Sequence, residues 1–327
     1  MTETKSFQDI CNYIHTQCLS YENILVVAHK KCADATASLL AFGAYLQGTK
    51  GTYTLWIPPP LLASLSFLYG FANIKTDVQP DVSNFDLIVA LDSGDVSQTG
   101  LMPQLGEALD RGFPFVINID HHFTNDGYGQ IQLIDKQASA TAELVYRYFK
   151  VIDFPVTSEM ATCLLTGLMT DTGSFSNAAT NDRALAVASE LLSAGAELQE
   201  IVDCVVSPDE SWHQLKLWGR VFNRMFFQKE YEMIVSCITQ QDLQECGVRE
   251  EDLDGLANFF NSVKDIAIAM VLVEQSDGTV KGSLRTTKEN IDVSQLARVL
   301  GGGGHQKAAG FTISGKLVET EAGWRVV

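Results

Sequence analysis

Short apolar runs bounded by polar turns recur through the first half of the chain and predict strands at residues 23–28, 53–56, 86–91 and 115–119. Stretches of helical spacing, such as 35–46, lie between them, and this alternation predicts a parallel sheet with crossover helices. A first helix over 7–19 has the apolar spacing of an element that packs on this sheet domain or, equally well, at a homodimer interface. Residues 139–149 predict another helix, with Ser139 as its cap. The segment 183–227 reads mostly as helix, broken near Gly195 and again at Ser207-Pro208-Asp209-Glu210, a helix start with proline in its first turn. Beyond it, strand patterns at 231–238, 266–273, 279–285 and 310–313 alternate with helices and predict a smaller mixed-sheet domain. The expected fold is therefore α/β in two lobes, with domains at 1–182 and 229–327, a helical connector at 183–228, and the active site in a cleft between the lobes.

Several of these elements end in chemistry. The strand 115–119 breaks off at Asp120-His121-His122, the run 86–91 at Asp92, and the strand 23–28 at His29-Lys30-Lys31-Cys32-Ala33-Asp34. Asp171 follows the apolar stretch 163–169. Aspartates at such boundaries are commonly helix caps or turn residues, but ligands in open α/β sheets gather beyond the carboxyl ends of the strands. Carboxylate and imidazole together are the ligand mix of hydrolytic Mn, Zn or Fe centres. His29, Asp34, Asp92, His121 and Asp171 supply enough oxygen and nitrogen for two divalent ions that share Asp92, an arrangement that activates water for in-line phosphoryl displacement.

This series resembles the DHH family of phosphoesterases, whose pattern is His-x-x-x-Asp-x-Asp after the first strand, a lone Asp, the Asp-His-His, and an Asp in an Asp-Thr-Gly context. Gly282-Ser-Leu-Arg285 and the run Gly301, Gly302, Gly303, Gly304, His305 are similar to the DHH-associated substrate-binding domain. Size and domain order are most like the small nano-RNase and pAp phosphatase branch. The resemblance implies hydrolysis of short oligonucleotides or 3′-phosphoadenosine 5′-phosphate to mononucleotides, with one or two divalent ions, most naturally Mn²⁺. It also implies metal-ligand roles for the five residues above, orientation of a histidine by Asp120, and assistance by His122 to charge development or the leaving oxygen. A cyclic-di-AMP or pApA phosphodiesterase shares every one of these motifs. Inorganic pyrophosphatase fits less well, because its C-terminal domain lacks the glycine-histidine run.

The chain departs from the family pattern twice. Asp34 lies five residues after His29, with Cys32 or Ala33 where a first carboxylate is expected, so Cys32 is a further candidate ligand, and a soft one that would favour Zn or Fe over Mn. Gln98 stands where the family usually has arginine. These departures motivate a reading of another class, a nucleotide-binding module with weakened catalysis.

Charge narrows the substrate further. With 23 Lys+Arg against 40 Asp+Glu the net charge is −17, which argues against long duplexes and leaves short single-stranded oligonucleotides or small nucleotides. Positive charge is local: residues 281–307 carry a net +3, including Arg285. The four glycines have no Cβ between their amides and a ligand and are expected to form an anion-binding nest, with Arg285 and His305 as added donors. Seven cysteines without a Cys-x-x-Cys pair read as reduced thiols in a cytoplasmic protein. No apolar run is long enough to span a membrane.

Overall fold

The computed structural model describes residues 6–125, 127–206, 212–249, 253, 259–260, 263, 266–320 and 323–327. The chain divides into two compact units, 1–209 and 210–327. The helix start expected at Ser207-Pro208-Asp209-Glu210 lies outside the described residues.

In the first unit β1 (Asn23–Ala28), β2 (Thr52–Trp56), β3 (Leu87–Leu91), β4 (Phe115–Asp120) and β5 (Ile131–Ile134) form one sheet in the order β2-β1-β3-β4-β5, with every neighbouring pair parallel. The strands β1, β3 and β4 are buried almost end to end, as a sheet covered on both faces requires. β5 was not anticipated: four residues at the sheet edge are too short a run to show a period. The helices are α1 (Phe7–Ser20), α2 (Ala33–Leu46), α3 (Gln104–Arg111), α4 (Thr141–Val151), α5 (Ser158–Asp171), α6 (Asp182–Ser193) and α7 (Leu198–Ile201).

α2 is buried nearly all round because it packs against β1, α4 and α5 together, which accounts for its run of Ala, Leu and Phe without a polar face. On α1 the buried residues are Cys11, Ile14 and Cys18, one stripe at helical spacing that joins the core of its own unit. The stripe of α1 formed by these residues is thus taken in cis. Ser139 does not cap α4. That helix starts at Thr141 with no side-chain cap from its own N-cap residue, and the Ser139 hydroxyl donates instead to the Ala179 carbonyl at 2.6 Å.

The second unit holds α8 (Trp212–Asn223), β6 (Phe226–Gln228), β7 (Met233–Ile238), α9 (Gln240–Cys246), β8 (Ile268–Glu274), β9 (Thr279–Arg285), a helix Val293–Val299, β10 (Gly303–His305), β11 (Ala308–Ser314), β12 (Leu317–Thr320) and β13 (Gly323–Val326). Its main sheet runs β10-β11-β9-β8-β7-β6, parallel between β7 and β8 and antiparallel elsewhere, and β12 pairs with β13 as a separate hairpin. All seven cysteines of the chain are free. Among the described residues no helix is long and apolar enough to cross a membrane.

Asp242 ties α8 to α9. Its carboxylate closes a capping box with Thr239, accepting from the Thr239 hydroxyl at 2.6 Å, and also accepts from Arg220 at 3.1 Å and from both terminal nitrogens of Arg224. Burial alone would raise its pKa, but the Arg224 guanidinium and the Thr239 donors outweigh that and hold it at about 2. A folded pKa below the unfolded value of about 3.9 means stability present above pH ~4 and lost as pH falls toward 2. Asp242→Asn is expected to lower the stability of the chain at pH 7 by about 2 kcal/mol and to flatten the loss of stability on acidification, as read from urea midpoints at pH 7 and pH 3.

Candidate metal centre

The strand order reverses between β1 and β3, so the connections leaving their carboxyl ends run in opposite directions and open a crevice there. His29 follows β1 and Asp92 follows β3, and His29 Nε2 lies 3.2 Å from Asp92 Oδ2. Asp92 is only 1% exposed and has φ of 52°, left-handed backbone that a non-glycine residue adopts at some cost and that here turns the carboxylate inward. It is fixed from several sides. The backbone N–H donates to the Ile119 carbonyl at 3.0 Å, the Thr141 hydroxyl donates to Oδ1 at 2.8 Å, and the Cys32 thiol donates to Oδ2 at 3.3 Å. Burial works against its charge, but the surrounding His29, His121 and His122 hold its pKa below the ordinary carboxylate range.

β4 delivers the next residues. His121 Nδ1 is 3.3 Å from the Ala138 carbonyl, and its Nε2 is 3.1 Å from Asp171 Oδ2, 3.5 Å from Asp92 Oδ1 and 4.0 Å from Asp34 Oδ2. A carbonyl can only accept, so Nδ1 carries the proton, and a neutral ring then aims the Nε2 lone pair at three carboxylates. Something positive has to stand between them, either a proton or a cation. Without a metal that role falls to the proton: burial depresses the His121 pKa, but Asp171, Asp34 and Asp92 more than reverse this and raise it to about 10. A divalent cation suits the same place, held by oxygen and nitrogen donors, so the residues present fit such an ion.

Asp34 is fully buried in the first turn of α2, and its carboxylate receives the amides of Thr141 at 2.6 Å and Ala142 at 2.9 Å. It is thus the N-terminal cap of α4, supplied from another helix, and at the same time a wall of the crevice. Burial, then the charges of Asp92 and Asp171, push its pKa well up. Asp171 arrives at the last residue of α5, which packs closely on α2 and α4. Gly167 permits that approach, since a Cβ there would stand 2.5 Å from Asp34 Oδ1 and 2.9 Å from the Ala142 methyl.

The five expected metal ligands therefore converge. His29, Asp92 and His122 form one group of donor atoms and Asp34, Asp92 and His121 another, each within 4.8 Å, with Asp92 common to both. Asp120 is buried behind them, where it accepts from His122 Nδ1 at 2.7 Å and from the Asn125 amide at 2.6 Å. Cys32 caps α2, its sulfur accepting from the Ala35 amide at 3.4 Å. Burial and the Asp92 and Asp34 charges raise its pKa, so it serves Asp92 as a thiol donor. Gln98 closes the turn after β3, accepting from the Gly94 amide at 2.8 Å.

Sequence reasoning missed Thr141, Asn118 and Asn125. Asn118 sits inside a buried strand and Asn125 links it to Asp120, with Asn125 Nδ2 2.8 Å from Asn118 Oδ1. A polar residue in the apolar run 115–119 was the available signal, whereas Thr141 had none. A cavity of about 470 Å³, lined among others by Asp81, Gln104, Arg111 and Pro114, lies where β3 and β4 begin, at the opposite ends of the strands from this centre.

In the second unit the glycine run takes a form other than the expected nest. The amides of Gly301 and Gly302 donate to the carbonyls of Arg298 and Ala297 and end the helix Val293–Val299, Gly301 with φ of 78°. Gly303, Gly304 and His305 then pair with β11 as a strand. Gly302 is required by close approach, a Cβ there falling 2.1 Å from the Gly310 carbonyl oxygen. Arg285 ends β9 in the same sheet, paired with Ala308.

Gly167→Val is expected to displace Asp34 and weaken divalent-cation binding by about tenfold or more, measured by titration calorimetry on the full chain.

Residues 23–168 match the family model described as the DHH family, N-terminal domain, and residues 230–322 match the DHHA1 domain. A bifunctional oligoribonuclease and PAP phosphatase, NrnA, of Thermus thermophilus is 34% identical over 284 residues, covering 86% of this chain and 81% of the relative. The bifunctional oligoribonuclease and PAP phosphatase NrnA of Bacillus subtilis is 23% identical over 303 residues, covering 90% of each. Among solved structures, an exopolyphosphatase-related protein from Bacteroides fragilis superposes with a TM-score of 0.80 at 24% identity, over 97% of this chain and 94% of that one, which is a likeness of fold.

Proposed function

Since the chain belongs to the DHH family, we infer that it is a hydrolase, a metal-dependent phosphoesterase that cleaves short oligoribonucleotides and 3′-phosphoadenosine 5′-phosphate to mononucleotides. The observation that carries this reading is the sharing of Asp92 by two groups of oxygen and nitrogen donors. His29 and Asp92 would hold one ion, and Asp34, Asp92, His121 and Asp171 the other. An ion there supplies a Lewis acid that lowers the pKa of a coordinated water and offsets charge on the phosphoryl oxygens. Mn²⁺ is the metal we propose, because the donors are carboxylate and imidazole and the one sulfur nearby is a protonated thiol.

The protein's own groups do the positioning. Thr141 and Cys32 orient the two oxygens of Asp92. The Ala138 carbonyl fixes the His121 tautomer, so that Nε2 faces the carboxylates. Asp120 holds His122 by Nδ1, which leaves Nε2 to carry a proton toward the leaving oxygen. In the second unit Arg285, Gly303, Gly304 and His305 are the proposed nucleotide contacts. The acidic chain suits short single strands and small nucleotides over long duplexes, and free cysteines throughout suit the cytoplasm.

The test compares initial rates on pAp, pApA, cyclic-di-AMP and a five-nucleotide RNA with Mn²⁺. Turnover of pAp and the short RNA is expected, with loss on chelation and recovery on adding Mn²⁺ back; a marked preference for cyclic-di-AMP or pApA would move the protein to the alternative diesterase activity. Asp92→Asn is the cleanest variant, because asparagine tolerates positive φ, keeps the side-chain shape and one acceptor oxygen, and removes the charge. It is expected to lower kcat by about three orders of magnitude. The presence of Cys32 where the family has a carboxylate favours a second reading, a weakened nucleotide-binding module. One ion per chain with no turnover would establish that reading, and two ions with turnover would dismiss it.

A further inference from the structure

Phe123, next in the chain after His122, is 82% exposed. A lone exposed aromatic is ordinary on a protein surface, but this one is not on an ordinary surface loop. The turn that carries it is pinned on both sides: the Asn125 amide donates to the His122 carbonyl at 3.1 Å, His122 is bonded to Asp120, and the Asn125 side chain is buried against Asp120 and Asn118. Only Phe123 and Thr124 at its tip are exposed. The Lys136 ammonium stands 5.2 Å from the Phe123 ring centroid. Lys136 lies on the turn that also presents the Ala138 carbonyl to His121, and that turn is braced by Asp135, which binds Arg147 at 2.9 Å and Arg183 at 3.1 Å. An aromatic ring and a cation are thus held on two rigid turns, each tied directly to a histidine of the candidate metal centre, in a chain whose net charge is −17.

We propose that Phe123 is a base-stacking platform, with Lys136 over one face of the ring and a nucleobase of the short oligonucleotide on the other. This inference rests on the phosphoesterase reading and adds how the substrate is set against the centre. Stacking on an aromatic is sequence-tolerant, because every base offers a π face, and it acts on binding rather than on the chemical step. The platform therefore selects for a base near the scissile phosphate without selecting which base.

The experiment uses the full chain with Mn²⁺ and compares the parent, Phe123→Ala and Phe123→Trp on an adenine dinucleotide and on the same compound lacking the base at one position or the other. At so exposed a site these substitutions leave the fold intact. The expected result is a KM about tenfold higher for the alanine variant on the dinucleotide, with kcat within about twofold and with the tryptophan variant close to the parent. One of the abasic compounds should be bound equally by parent and alanine variant, since the ring has nothing to stack on. An unchanged KM for the dinucleotide, or an equal loss on every compound, would overturn the proposal. If the parent hydrolyses none of these compounds, the oligonucleotide part of the phosphoesterase reading fails, and calorimetric binding of the dinucleotide then decides about the platform by itself: weaker binding to the alanine variant supports it, and equal or absent binding rejects it.

Discussion

The candidate centre depends on one buried carboxylate. Asp92 occupies the reversal point of the sheet, where two connections part, and it is held there in left-handed backbone with almost no exposure. A charge in that position is costly unless it is paired and hydrogen-bonded. His29 and the Cys32 thiol, both from the turn after β1, and the Thr141 hydroxyl at the start of α4 meet that requirement from two distant segments of the chain. Each of these contacts also joins separate elements, so the arrangement that stabilises the charge is the one that assembles the site.

Asp34 extends the same economy of parts. A helix start buried against its neighbours leaves amides that need acceptors, and α4 finds its acceptor in the carboxylate of α2. An aspartate at an element boundary is commonly a cap or a ligand; Asp34 is a cap that also faces the crevice. The requirement passes on to α5, whose glycine at 167 leaves the space that Asp34 occupies. Packing among α2, α4 and α5 therefore sets the distances at the centre, since Asp171 rides on the last of these helices.

The two units use their conspicuous residues differently. In the first, the polar residues at strand ends converge on one place. In the second, most of the glycine run answers to backbone demands: a helix terminus at Gly301 and Gly302, close strand approach at Gly302 and Gly304. A Cβ on Gly301 or on Gly303 would meet nothing within 4 Å, but Gly301 answers to its φ of 78°, whereas the chain's own packing does not explain why Gly303 lacks a side chain.

Much was legible in the amino-acid sequence because the relevant signals are local. Buried parallel strands are uninterrupted apolar runs, so β1, β3 and β4 could be read nearly to their ends, and with them the positions of His29, Asp92 and Asp120-His121-His122. The alternation of strands and helices likewise determined the class of fold. What no local pattern could supply was anything set by contacts between distant segments. The cap of α4 comes from a residue more than a hundred positions earlier, Thr141 reaches Asp92 across the crevice, and the role of Cys32 as a donor follows from the carboxylates brought around it. Such interactions act at a few ångströms and leave no period in the chain, so only the tertiary structure decided them.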